Sequence, residues 1–148
     1  MTTATREQVA LALFTLLTSS SAYQTTGRRF ITDDQLAACQ KPALFMYEHK
    51  ETHVKAKQIT PAVRTLEVDV YIFIATGQDP NYTPITDLNN LIDAIDPTTG
   101  GVLSPFPNTQ QTLSGLVTNV YIDGEILKTP GDINGLGVAV IPIKVIYM

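Results

Sequence analysis

The chain has 148 residues, 44% of them hydrophobic and 16% charged, with a net charge of −4. That length suits one domain spanning 1–148, and the composition excludes a disordered chain. The acidity argues against tight wrapping of nucleic acid, whose affinity comes chiefly from Lys and Arg on phosphates.

The sign of the charge changes along the chain. Residues 1–64 carry eight Lys/Arg against five acids, and residues 65–148 carry two against nine. If the halves also separate in space, the protein has two faces of opposite charge. Cys39 is the only cysteine, so no internal disulfide forms and the fold does not depend on oxidation.

Thr5-Arg6-Glu7-Gln8 has the pattern of a capping box and opens a helix. Val9, Ala12, Leu13, Leu16 and Leu17 then recur at i, i+3, i+4, i+7 and i+8, which makes a buried stripe. Leu11 and Phe14 lie off the stripe, so a second surface should cover them. Either a neighbouring subunit or a long loop of the same chain can supply it. The apolar run from Val9 to Leu17 is too short for a membrane span and lacks a basic leader, so neither a signal peptide nor a membrane anchor is expected.

Residues 18–41 read as loop, with a short helical turn near Asp33–Cys39. Within that loop, Arg28-Arg29 is the one paired-cation feature. Its forked guanidinium groups suit carboxylates or phosphates. One reading is a local salt bridge to Asp33 or Asp34. The other is a contact between subunits, in which the electropositive half of one copy meets the acidic half of the next.

Ala43–Tyr47 reads as a buried strand and 48–60 as a polar stretch. From Thr65 to Ile74, apolar Leu66, Val68, Val70, Ile72 and Ile74 alternate with the other side chains, the period of a strand with one face on a core. Thr83-Pro84 starts a second helix lined by Leu88, Leu91, Ile92 and Ile95 and stopped by Pro97. A loop rich in Gly, Pro, Thr and Asn fills 98–115. Residues 116–127 and 137–147 read as an antiparallel pair with a bulge at Asp123-Gly124. Pro142 lacks a ladder donor and predicts that the last strand is an edge or carries a bulge. The expected fold is α+β: an antiparallel sheet of about four strands with two helices packed on one face.

Chemistry-bearing patterns are sparse. His49 and His53 lie four apart, but not as His-Glu-x-x-His, and in an extended arm they stand ~13 Å apart, too far to share a metal. Gly135-Leu136-Gly137 leads into a strand and lacks a third glycine, and Ser19–Ser21 has no glycine elbow. The expectation is no catalytic residue, no metal and no cofactor.

The order of several segments resembles the tail terminator (tail completion) proteins of long-tailed bacteriophages. These are the capped helix, Thr25-Thr26-Gly27-Arg28-Arg29-Phe30, Lys41–Phe45, Asn108–Val117, Tyr121–Ile126 and Ala139–Ile143. Ser114 stands where such proteins would lead one to expect a second glycine, and the arm 48–60 is more basic than expected.

The resemblance implies a non-enzymatic virion protein that assembles in the host cytoplasm. It would form a hexameric ring on the head-proximal end of the tail tube, stopping tube growth and docking the head. Its partners would be other copies of itself, the tail tube protein and a head-completion or connector protein. Viral DNA would pass through the lumen without sequence-specific binding, and no membrane is involved. Arg28, Arg29, Leu11 and Phe14 are the candidate subunit contacts, and Asn108, Thr109, Gln110 and Gln111 the candidate docking loop. The rival expectation is another neck component, such as a head-completion or connector protein.

Overall fold

Thr5 caps the first helix as its sequence dictates. Its hydroxyl accepts from the Gln8 amide at 3.2 Å, and the Gln8 side chain accepts from the Thr5 amide at 2.8 Å. The helix α1 runs Arg6–Leu17 and buries Val9, Ala10, Leu13 and Leu17. The stripe is thus rotated slightly from the sequence expectation, leaving Ala12 and Leu16 at its half-buried margin. The computed structural model describes residues 5–19, 22–29, 31, 35–36, 40–55, 63–75, 84–96, 101, 103, 112–113, 115–129 and 137–147. The expected turn near Asp33–Cys39 and most of the expected loop 98–115 lie outside these residues.

The remaining elements are β1 (Thr25–Gly27), β2 (Ala43–Val54), β3 (Val63–Ile74), α2 (Pro84–Asp93), β4 (Asn119–Ile122), β5 (Leu127–Thr129) and β6 (Gly137–Tyr147). They form an α+β fold on one sheet of order β1-β2-β3-β6-β4, with β5 also on β6. The expectation of about four antiparallel strands is corrected on both counts. The sheet has six strands, and β1 runs parallel to β2. Three residues are too few to show a period, which is why β1 is invisible in the sequence.

The 48–60 stretch is also reassigned as far as Val54. Strand β2 continues through it because every residue from Lys50 to Val54 has a partner on β3. Its side chains there are mostly exposed, so the polar composition reflects solvent on the strand rather than loop.

Strand β3 sits in the middle, and its alternation sets the layers. Leu66, Val68, Val70, Ile72 and Ile74 join Ala139, Ile141, Ile143, Val145 and Tyr147 of β6 in one core. Both helices contribute to that core: Val9, Leu13 and Leu17 from α1, and Leu88 and Ile92 from α2. Burying each such aliphatic side chain favours folding by roughly 1.5–3 kcal/mol. The opposite face has a smaller core in which Phe45 meets Phe73 edge-on at 6.2 Å, with Leu36 and Ala43 beside them.

Of the two expectations for Pro142 the edge is overturned, since β6 lies between β3 on one side and β4 and β5 on the other, whereas the pairing is indeed irregular at this point. The Pro142 carbonyl accepts from the Asp123 amide at 3.1 Å, so its ring nitrogen also faces the β4–β5 side. There the partner strand is interrupted. Between the pairs Ile122↔Ile143 and Leu127↔Val140, four residues stand opposite two. The missing donor therefore falls at a break, which Gly124 closes with φ +113.

Beyond α2, the Gly101 amide donates to the Asp96 carbonyl at 2.8 Å, and the Leu103 amide reaches Ile95 at 3.2 Å. Gly101 is buried against the helix end. A Cβ there would lie 2.6 Å from the Asp96 nitrogen.

Candidate functional site

The sheet order turns the charge asymmetry of the sequence into a spatial one. Strands β1 and β2, from the electropositive half, form one edge, and β4 and β5, from the acidic half, form the opposite edge. The basic side brings Arg28, Arg29, Lys41, Lys50 and Lys55 onto or next to β1 and β2. Asp123 and Glu125 stand exposed between β4 and β5, and α2, packed against β3, β5 and β6, carries Asp87 and Asp93.

Arg28 leaves β1 pointing back into its own chain. Its two terminal nitrogens grip the Glu7 carboxylate at 2.7 and 2.9 Å, and one also reaches Glu48 at 3.3 Å. The fork geometry of the guanidinium makes this possible, and Glu7 gains further from the positive end of α1. Hydrogen bonding to Arg28 holds the Glu7 carboxyl below the usual range, and the same bonds push the Arg28 guanidinium still higher. Its partners are thus Glu7 and Glu48, on α1 and β2. Arg29, the next residue, is exposed.

A second node forms where β2, β6 and α1 meet. Glu51 accepts hydrogen bonds from the Tyr147 hydroxyl at 2.6 Å and Arg6 Nε at 2.9 Å, and lies 2.8 Å from His53 Nε2. Burial opposes ionisation, but the bonds from Tyr147, His53 and Arg6 outweigh it and bring the Glu51 carboxyl down to about 2. Burial, reinforced by the Glu51 charge, pushes the Tyr147 hydroxyl up to about 12. The Arg64 guanidinium lies 4.1 Å over the Tyr147 ring.

The solvent face of the sheet carries a row of alternating charges across three strands and the residue that follows β4. Lys50 on β2 lies 3.8 Å from Glu67 on β3, which lies 3.7 Å from Lys144 on β6, which lies 2.6 Å from Asp123 beyond β4. The hydrogen bond to Asp123 raises the Lys144 ammonium. His49 stands on the same face, 3.5 Å from Asp69. Among the described residues no group of three or more His, Cys, Asp and Glu is arranged to hold a metal.

The outward side of α1 borders an open groove of about 620 Å³ lined by Leu11, Ala12, Thr15, Leu16, Leu113 and Leu116. Leu11 is 52% exposed there, whereas Phe14 packs half-buried against the main core. The turn carrying Leu113 and Leu116 is closed by the Thr112 carbonyl, which accepts from the Gly115 and Val117 amides at 3.0 and 3.1 Å. Asn108, Thr109, Gln110 and Gln111 lie outside the described residues.

The chain matches no known family model and no curated protein. Of the sequence candidates, Leu11 and Arg29 face outward, Phe14 and Arg28 are engaged within the chain, and sequence reasoning overlooked Glu7, Glu48, Glu51 and Tyr147 altogether. A lone Lys144 in the apolar strand Gly137–Tyr147 was the one visible hint of a charged row on the far face. No helix among the described residues is long and apolar enough to cross a membrane.

Proposed function

We propose that the chain is a structural protein of a phage virion, a tail terminator whose copies form a six-membered ring on the head-proximal end of the tail tube. The ring halts tube polymerisation and provides the docking surface for a head-completion or connector protein, while DNA passes through its lumen. One observation carries the reading: the two halves of the chain, opposite in charge, supply opposite edges of a single open sheet. Opposed edges favour head-to-tail association, and a head-to-tail interface closes into a ring when its rotation is a whole fraction of a turn, one sixth for six copies. The likeness of several ordered segments to tail terminators supports the same reading. Leu11 and Arg29 are the outward-facing contacts, and a net negative charge suits a passage through which DNA slides without sticking.

The test is deletion of the gene from the phage that encodes it. Particles should then show tails of irregular, excessive length that never join heads in electron micrographs. Tails of normal length joined to heads would overturn the proposal.

A further inference from the structure

Both outer edges of the sheet have stretches without a strand partner among the described residues. Strand β1 covers β2 only at Ala43, Leu44 and Phe45. From Lys50 to Val54, β2 pairs with β3 alone, so among the described residues its other edge has no strand partner. On the far side, β4 and β5 pair with β6 and with nothing else described. Each open edge presents backbone donors and acceptors that a further strand satisfies.

Charge decides which strand that is. The acids of β2 are already engaged, Glu48 by Arg28 and Glu51 by Arg6, which leaves Lys55 and Arg29 exposed on that side. On the other edge Lys144 engages Asp123, which leaves Glu125 exposed ahead of β5, while Lys128 of β5 donates to Asn89. Pairing β2 with a second β2 would gather Lys55 and Arg29 of both copies at one seam, and pairing the β4–β5 edge with itself would gather the Glu125 side chains of both. Like charges directly across a strand pair are destabilising. The irregularity between Glu48 and Lys50 twists the edge and works further against indiscriminate addition.

We propose that residues 50–54 of β2 add as a strand to the β4–β5 edge of a second copy, so that one sheet runs continuously from copy to copy. This rests on the ring-forming reading above and specifies its contact. Each copy gives one edge and receives on the other, so the contact propagates head to tail without exhausting itself.

Hydrogen exchange on the full chain, measured as monomer and as assembled oligomer separated by sedimentation, tests the inference. The outward-facing amides within residues 50–54, 119–122 and 127–129, those not bonded to β3 or β6, should exchange at least tenfold more slowly in the oligomer. Lys55→Glu and Glu125→Lys should each weaken association several-fold, and the two together in one chain should restore it. An oligomer whose edge amides exchange at the monomer rate overturns the strand contact and leaves the ring standing. A chain that stays monomeric at every concentration overturns both.

Discussion

The Tyr147 hydroxyl donates a 2.6 Å hydrogen bond to Glu51, joining β6 to β2 across the intervening strand β3. Tyr147 is fully buried, so its ring fills the end of the main core while its hydroxyl reaches the Glu51 carboxylate.

Tyr147→Phe keeps the ring and removes the donor. Because the lost bond is to a charged group, it should cost about 1.5–3 kcal/mol. Urea unfolding should show a lower midpoint with an unchanged slope. An unchanged midpoint would mean the bond adds nothing to stability.

Acid stability should depend on the same carboxylate. Glu51 ionises at about 2 in the folded chain against an ordinary 4.5, so between those values the unfolded chain binds more protons. Its contribution is full above pH 4.5 and disappears as the pH falls towards 2. After allowance for solvent screening the loss is roughly 2 kcal/mol. Glu7, lowered by Arg28, acts in the same direction. Glu51→Gln should flatten the fall in melting temperature across this window, and a profile as steep as that of the unaltered protein would refute the assignment.

Arg28 and Arg29 should separate cleanly. Arg28→Glu places a third carboxylate beside Glu7 and Glu48 and should lower the melting temperature of the monomer. Arg29→Glu, on an exposed side chain, should leave it within about 0.5 kcal/mol of the original stability while weakening association. Calorimetry and sedimentation on the two variants read these effects; equal melting losses would count against the distinction.

The two sides of α1 should also differ. Leu13→Ala opens a cavity at a fully buried position and should cost about 2–5 kcal/mol, whereas Leu11→Ser, on the groove, should cost under about 0.5 kcal/mol. Denaturant unfolding of both variants checks this.

Gly101→Ala should destabilise strongly, because the added carbon meets the backbone of the α2 terminus, which has no side-chain freedom with which to yield. Gly115→Ala offers a comparison, since a Cβ there meets no atom within 4 Å and only its φ of +90 opposes the change. A Gly101→Ala protein melting at or above the Gly115→Ala protein would contradict the packing argument.

Much of the fold was legible wherever a pattern had length. The capping box and twelve residues of α1, the alternation along β3 and the apolar side of α2 were all readable, because periodicity needs several turns or pleats to declare itself. Strand β1 was too short, and the exposed half of β2 has the composition of a loop. Pro142 marked an edge or a bulge and Asp123-Gly124 a bulge, but only the register of β6 against β4 and β5 shows that the two irregularities stand opposite each other inside the sheet.

The sequence by itself determined the α+β class, the faces of the helices and of β3, and the opposite charges of the two halves, since each follows from local periodicity or from counting. Only the tertiary structure decided which partners the charges take. Arg28 finds Glu7 and Glu48, and Glu51 finds Tyr147, because strand order and register bring together residues far apart along the chain. The same strand order sends the two halves to opposite edges of the sheet, and pairing between distant segments is a property of the whole packed core rather than of any window within it.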